Sequence, residues 1–116
     1  MEAEFRNLTP HDICIHVLGG TRVIPPCGTV ARVRTKRMMR DAVQMGNCRV
    51  SCAEIESIGV DGVPAPTEGI VYLVSTFVAQ HPWVRGRPDV MAPDLHSATR
   101  DSNGNVVAIS NLVRYS

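Results

Sequence analysis

Residues 69–81 constrain the fold more than any other segment, because an apolar strand runs directly into a residue that can cap a helix. Ile70–Val74 has the length and composition of a buried strand. Ser75 then occupies the position of a helix N-cap, and Pro82 ends the short helix that we expect over Thr76–Gln80. The junction predicts one central buried strand followed by one short helix.

Most other segments alternate apolar and polar side chains, which is the period of a β-strand. Asp12–Leu18 and Thr21–Ile24 flank a pair of glycines, so we expect an N-terminal hairpin. Thr29–Thr35 and Cys48–Val60 are also expected to be strands, and the second requires either a bulge or an exposed far end. The turn chemistry of Thr99–Ile109 predicts a last hairpin.

Lys36–Gly46 is the segment whose pattern leaves two structures open. Its apolar residues suit a short amphipathic helix that ends at Gly46, or the segment is a loop, which we favour. Because strands dominate and helix is scarce, we expect an α+β fold, mainly antiparallel β, with a single curled sheet or partial barrel. A chain of 116 residues can bury one ordinary core, so we expect a single domain over residues 1–116.

The composition excludes several classes of protein. The net charge is +1, so no global field attracts the chain to nucleic acid or to an anionic membrane. Met1–Arg6 lacks the apolar core of a signal peptide and no apolar run is long enough to cross a bilayer, which predicts a cytoplasmic protein without a membrane partner. In that compartment the cysteines are expected to be reduced and half-buried; they are Cys14, Cys27, Cys48 and Cys52.

Neither a metal nor another cofactor is expected. The spacing of Cys48 and Cys52 is wide for a pair of zinc ligands, and on one strand the two residues stand roughly 13 Å apart. Arg32–Arg40 holds five of the twelve basic residues but lacks interleaved aromatic side chains, so we interpret it as a solvated strand edge and not as a nucleic-acid interface. The one tryptophan, Trp83, is expected to pack on the edge of the core, with stacking on a partner as the alternative.

His11 is the candidate acid or base, because an unperturbed imidazole titrates near neutral pH. A small hydrolase or phosphoesterase would pair it with Asp89 or Asp101. The alternative, which we favour, is structural: Asn7 and Thr9 hold a turn through backbone hydrogen bonds, and His11 fills space beside it. No catalytic set of known mechanism accompanies His11, so a non-enzymatic protein is expected.

Ser75 and Thr76 begin the predicted helix, where unpaired backbone N–H groups can bind an anion. Three later arginines, Arg85, Arg87 and Arg100, can supply guanidinium groups to the same ligand if the chain brings them there. A small anionic, nucleotide-like ligand would suit such a site. Helix capping alone is the other interpretation of Ser75, and we favour it.

Five segments together resemble a family of small uncharacterised proteins from phages and from bacteria, especially actinobacteria. The segments are Asn7-Leu-Thr-Pro-His11, 62–66, 68–79, 87–93 and 100–106. The chain departs from the family pattern between residues 36 and 48 and at residues 108–111. The family has no established biochemical function, so the resemblance implies a phage-type accessory protein and no mechanism.

We therefore expect an accessory protein that acts by binding either a host protein or a small anionic ligand. A homo-oligomer is also expected, because a chain with many strands and little helix leaves sheet edges to cover. A structural virion component is a third alternative, and it would need an edge or a face that assembles with itself.

Overall fold

The computed structural model describes residues 2–116, in which strands take up 51% of the chain and helix 6%. The strands are β1 (Glu4–Asn7), β2 (Ile13–Val17), β3 (Gly20–Ile24), β4 (Arg32–Met45), β5 (Cys48–Asp61), β6 (Ile70–Leu73), β7 (Val90–Pro93), β8 (Thr99–Arg100), β9 (Val106–Ala108) and β10 (Leu112–Val113). Helix α1 spans Thr76–Ala79, and a 3-10 turn spans Leu95–Ser97. The predicted class, a mainly antiparallel β-rich fold with one short helix after the central strand, is confirmed.

The strands divide into one sheet of four strands and three ribbons of two. The sheet has the order β1-β6-β7-β10, in which β1, β6 and β7 run parallel and β10 runs antiparallel to β7. The ribbons β2-β3, β4-β5 and β8-β9 are antiparallel hairpins. No closed barrel forms within residues 2–116. The parallel core of the sheet brings the carboxyl ends of three strands to one edge.

The central strand β6 is apolar throughout because both of its faces are covered. Tyr72 and Val74 point into one hydrophobic cluster, which also contains residues of α1 and β7, and Leu73 points into a second cluster with Ile13 and Ile109. Tyr72, Leu73 and Val74 are all fully buried. This two-sided burial is the reason that the strand shows no alternation in the sequence.

Helix α1 begins where the sequence predicts. The Ser75 side chain accepts a hydrogen bond from the backbone N–H of Val78 at 3.3 Å, so the predicted N-cap is confirmed. The helix ends at Ala79, one residue earlier than expected, because Gln80 serves as its C-cap. No helix within residues 2–116 has the length and apolar composition needed to cross a membrane.

The predicted loop or helix over Lys36–Gly46 is wrong. These residues form most of β4, which pairs with β5 in a hairpin of fourteen residues on each strand, and Gly46 lies in its turn with φ of 60° instead of capping a helix. Register shifts between Arg34 and Thr35 and between Arg40 and Val43 interrupt the alternation of the pairing. Because each bulge changes which side chains share a face, the sequence loses its period of two and imitates helical spacing.

The β4-β5 hairpin projects from the body as an arm. Val33 and Val60 at its base are half-buried against the core, whereas nearly all residues farther out are exposed. At the base, His81 hydrogen-bonds the Ser57 hydroxyl, and the Trp83 ring lies over Gly59 of the arm with 65% of its surface exposed. The arm leaves both of its strand edges unpaired within the described chain.

Candidate functional site

The carboxyl ends of the three parallel strands form one side of a crevice. Thr9 follows β1, Ser75 and Thr76 follow β6, and Pro93 ends β7. Residues of β2 and β9 form the other side, and the crevice encloses about 290 Å³. Ligands of open α/β sheets bind outside the carboxyl ends of parallel strands, where the departing loops leave a gap. The crevice occupies the corresponding position on this sheet.

The lining of the crevice is mainly apolar, with a few polar side chains among it. The apolar residues are Ile13, Pro93, Leu95, Val106, Val107, Ala108 and Ile109, and the polar ones are Thr9, His11, Asp12, Cys14, Ser75 and Thr76. Within residues 2–116, no side-chain hydrogen bond engages His11, Asp12 or Thr76. Three polar side chains are therefore available to a ligand. His11, Ser75 and Thr76 were separate candidates in the sequence, and the fold brings them to one place.

Asn7 holds the turn that carries His11 to the crevice. Its side chain is fully buried, and its amide nitrogen donates to the carbonyl oxygens of His11 at 2.8 Å and of Ile24 at 2.9 Å. Its amide oxygen accepts from the backbone N–H of Thr9 at 2.9 Å and from the Thr9 hydroxyl at 2.6 Å. The structural role predicted for Asn7 and Thr9 is confirmed. The His11 ring itself is exposed and does not fill space in the core.

Neither of the predicted acidic partners of His11 lies in the crevice. Asp89 accepts two hydrogen bonds from Arg87, at 2.7 Å and 3.0 Å, and these bonds hold the pKa of Asp89 below its ordinary value against the opposing effect of burial. Asp101 accepts from the backbone N–H groups of Asn103 and Asn105 in the β8-β9 turn. The carboxylate that shares the crevice with His11 is that of Asp12, its neighbour in the sequence.

The three arginines of the predicted anion site do not line the crevice. Arg85 donates to the carbonyl oxygen of Ser116 at 2.7 Å, and Arg100 donates to that of Gly104 at 2.8 Å. Arg87 is paired with Asp89, two residues farther along the chain. All three guanidinium groups are therefore engaged by partners outside the crevice. Of the backbone N–H groups at the start of α1, that of Val78 donates to the Ser75 hydroxyl, and none of the three arginines lies with Ser75 and Thr76 in the crevice.

A second, wider depression of about 870 Å³ lies on the far side of β2. It is lined by residues of β1, β2, β3 and β10, and its polar side chains include Arg22, His16 and Asp94. The His16 ring is within hydrogen-bonding distance of the Thr21 and Thr99 hydroxyls, at 3.2 Å and 3.3 Å. Nothing in the sequence points to Arg22, because it stands alone on a strand without a recognisable motif.

The cysteines are more exposed than predicted. All four are unpaired, but only Cys14 is half-buried, and it lies in the crevice. Cys48 and Cys52 are exposed because they lie on the arm and not in the body. The part of the chain that the structure describes contains no group of three His, Cys, Asp or Glu side chains placed to share a metal ion.

The chemistry available in the crevice is set by one imidazole, one carboxylate and one free hydroxyl beside apolar walls. Such a set can hydrogen-bond the polar end of a small molecule whose body packs on Leu95 and β9. The comparisons with family models, with curated proteins and with solved structures gave no match to this chain.

Proposed function

We propose that the protein is a phage-type accessory protein that acts by binding a small ligand in the crevice. The observation that carries this proposal is the meeting of three strand ends around the unpartnered side chains of His11, Asp12 and Thr76. The volume of about 290 Å³ lies near the lower end of the range for small-molecule pockets, about 300–1,000 Å³. The phage-type origin rests on the resemblance of five segments to a phage and actinobacterial family.

The lining favours a ligand with an apolar or aromatic body and a hydrogen-bonding end. No arginine or lysine lines the crevice, and the carboxylate of Asp12 would repel a phosphate. A nucleotide-like ligand would therefore place its base in the crevice and leave its phosphates in solvent. Asp12 can accept from an exocyclic amine, and Thr76 can donate to a ring nitrogen or a carbonyl oxygen.

Binding can be tested with nucleosides, nucleotides and small neutral metabolites, by thermal shift and native mass spectrometry on the purified protein. Thr76→Val keeps the shape of the side chain but removes the hydroxyl, so we expect it to weaken binding about tenfold without lowering the unfolding temperature of the free protein. Arg22→Ala, in the wider depression, is the matched control and should leave affinity unchanged. A ligand that Arg22→Ala weakens and Thr76→Val does not would bind in the wider depression instead.

An enzymatic function is the second candidate, because His11 and Asp12 lie side by side in the crevice without other partners. The imidazole can take a proton from a nucleophilic water while the carboxylate orients it, which is the minimum for hydrolysis. Incubation of each bound ligand with the protein, followed by mass spectrometry, separates the two functions. Conversion that stops in His11→Ala supports the enzyme, and a ligand recovered intact supports the binding protein.

A further inference from the structure

One face of the arm is directed away from the body, except at its base, where Trp83 covers Gly59. Residues opposite each other in an antiparallel hairpin project to the same side. Val33 and Val60 project toward the core, so the neighbouring pairs project the other way and form what we call the outer face. From base to tip, the pairs of the outer face are Arg32 with Asp61, Arg34 with Gly59, Lys36 with Glu56, Met38 with Glu54, Arg40 with Cys52, Val43 with Val50, and Met45 with Cys48.

The tip of the outer face is apolar and exposed. Val43, Met45 and Val50 expose 58%, 65% and 44% of their surfaces, and Cys48 beside them is also exposed. Scattered single apolar residues are ordinary on a protein surface, but these four are adjacent across two paired strands. A contiguous apolar cluster at the end of a projecting hairpin is typical of a contact with another chain.

The charges on the outer face are separated by strand. The charged residues of β4 on this face are all basic, namely Arg32, Arg34, Lys36 and Arg40. Those of β5 are all acidic, namely Glu54, Glu56 and Asp61. A second copy of this surface is complementary to the first only when its β5 lies over β4, and the net charge of +1 on the chain does not oppose such a pairing.

This requirement selects one symmetry. When two ribbons stack face to face, a two-fold axis parallel to the arms places β4 of one chain over β5 of the other. A two-fold axis across the arms would instead place β4 over β4 and bring basic side chains together. We propose that two copies of the chain associate through their outer faces, with parallel arms and with both tips at the same end.

In this arrangement the same residues that pair within a hairpin also meet between the two chains. Val43 packs on Val50 of the partner subunit, and Lys36 lies over Glu56 of the partner subunit. Stacked sheets are about 10 Å apart, a distance that the long side chains of lysine and glutamate can bridge from the two sides. The apolar tip supplies most of the association energy, and the charges determine the orientation, because exposed ion pairs contribute little on their own.

The size of the outer face predicts the strength of the contact. A strand of fourteen residues is roughly 46 Å long and a two-stranded ribbon is about 10 Å wide, so the dimer would cover about 900 Å² in projection. That area lies below the roughly 1,200–2,000 Å² of stable protein interfaces. We therefore expect a dimer that forms at micromolar concentration and weakens as salt is added.

Charge reversal tests the proposal with variants that control for one another. Lys36→Glu and Glu56→Lys each place like charges across the interface, so each variant alone should have its dimer dissociation constant raised at least tenfold in sedimentation equilibrium. An equimolar mixture of the two restores opposite charges between the chains and should form a mixed dimer, visible by native mass spectrometry. The double variant, with both substitutions in one chain, should dimerise like the wild type.

Three results would overturn the proposal. They are a wild-type chain that remains monomeric at about 100 µM in low salt, single variants that dimerise as well as the wild type, and a mixture that does not recover the dimer. Circular dichroism of each variant checks that the hairpin is folded, and the double variant shows whether the substitutions themselves are tolerated. Thr76→Val should dimerise normally, so a failure here is distinguishable from a failure of the ligand-binding proposal.

Discussion

At the residue scale, Asn7 is the side chain on which the local structure of the crevice depends most. It is fully buried, and its hydrogen-bonding capacity is used by the turn between β1 and β2 and by the carbonyl oxygen of Ile24 at the end of β3. Removing this fully buried amide takes away four hydrogen bonds at once, whereas buried polar groups in folded proteins are normally paired. The position of His11 in the crevice follows from this turn.

We expect Asn7→Ala to lower the free energy of unfolding by about 2–4 kcal/mol, since it removes four hydrogen bonds of a fully buried side chain, although the His11 carbonyl keeps another partner, the Thr9 hydroxyl. Urea denaturation followed by circular dichroism measures the change. Asn103→Ala is the control: its side chain is exposed in a turn, so it should change stability by less than about 0.5 kcal/mol. Equal effects of the two substitutions would show that the buried amide is not the source of stability.

The pair of Arg87 and Asp89 gives stability a defined dependence on pH. The two side chains are 22% and 15% exposed, and the hydrogen bonds from Arg87 lower the pKa of Asp89 below the ordinary value of 3.8. A carboxyl whose pKa is lower in the folded state stabilises the fold above its unfolded pKa, and that stabilisation is lost as the pH falls through the folded value. Wild-type stability should therefore fall below about pH 4 partly through Asp89.

Asp89→Asn should remove this part of the acid dependence while lowering stability at pH 7 by about 1–3 kcal/mol, because Arg87 loses its charged partner in a partly buried position. Urea unfolding at pH 7 and at pH 3 measures both effects. Asp101→Asn is the comparison, since no Arg or Lys pairs with Asp101 among the described residues. If the difference in stability between the two pH values is the same in Asp89→Asn as in the wild type, Asp89 does not contribute to it.

At the scale of the element, the backbone is tightly constrained at Gly62, which follows β5 at the base of the arm. A Cβ atom at Gly62 would lie 2.7 Å from the carbonyl oxygen of Val30 and 3.1 Å from the Cα of Ala31, and its φ of +87° is one that other residues rarely adopt. Gly104, in the β8-β9 turn, has a similar φ of +84° but open space around the same position. Alanine substitutions at these two positions therefore separate the free-energy cost of backbone strain from that of a steric clash.

Gly104→Ala should cost about 1–2 kcal/mol, which is the strain of a positive φ alone. Gly62→Ala should cost at least about 2 kcal/mol more, because the backbone of Val30 and Ala31 must move to admit the methyl group. Chemical denaturation of both variants gives the difference. Equal costs would mean that the strand ends adjust freely where the arm joins the body.

The elements differ in how much of them the sequence could predict. The β2-β3 and β8-β9 hairpins, the buried strand β6 and the Ser75 cap all follow from local patterns, and all are present. The outer half of β4 was missed because its bulges depend on the pairing with β5 and leave no local signal. The parallel partners of β6 were missed for a related reason, since parallel neighbours are joined by long connections that no short pattern encodes.

Local sequence patterns also could not predict the candidate site, because it is formed by residues far apart in the chain. His11, Ser75 and Thr76 were each visible as polar residues at the end of an expected element, but the meeting of His11 with the other two depends on the order of the strands in the sheet. The arginines lie outside the crevice and bond other groups: Arg87 and Arg100 bond residues close in the chain, and Arg85 bonds the distant Ser116. The Arg87-Pro-Asp89 segment contained the signal for one of these pairs, an arginine two residues before an aspartate.

At the scale of the whole molecule, the arm dominates the shape. The dimensions are 61 × 39 × 26 Å, and the radius of gyration of 17.9 Å exceeds the value of about 13 Å expected for a compact chain of this length. Both hydrophobic clusters consist of residues from the body, with only the base of the arm packed against them. The body therefore contains the residues that define its own core and the crevice.

The arm should consequently be removable without unfolding the body. Thr35 and Ser57 are paired across the hairpin, so replacing residues 36–56 with Asn-Gly would close the shortened strands with a two-residue turn. We expect this variant to fold, to keep the ligand affinity of the crevice and to remain monomeric at every concentration.

The unfolding temperature of this variant should not depend on protein concentration, whereas that of the wild type should rise with concentration because dimerisation stabilises the folded state. Circular dichroism melts over about a hundredfold range of protein concentration distinguish the shortened chain from the wild type, because mass action over such a range shifts stability by a few kcal/mol. A shortened chain that does not fold would show that the arm, or the dimer it forms, is part of what holds the body together.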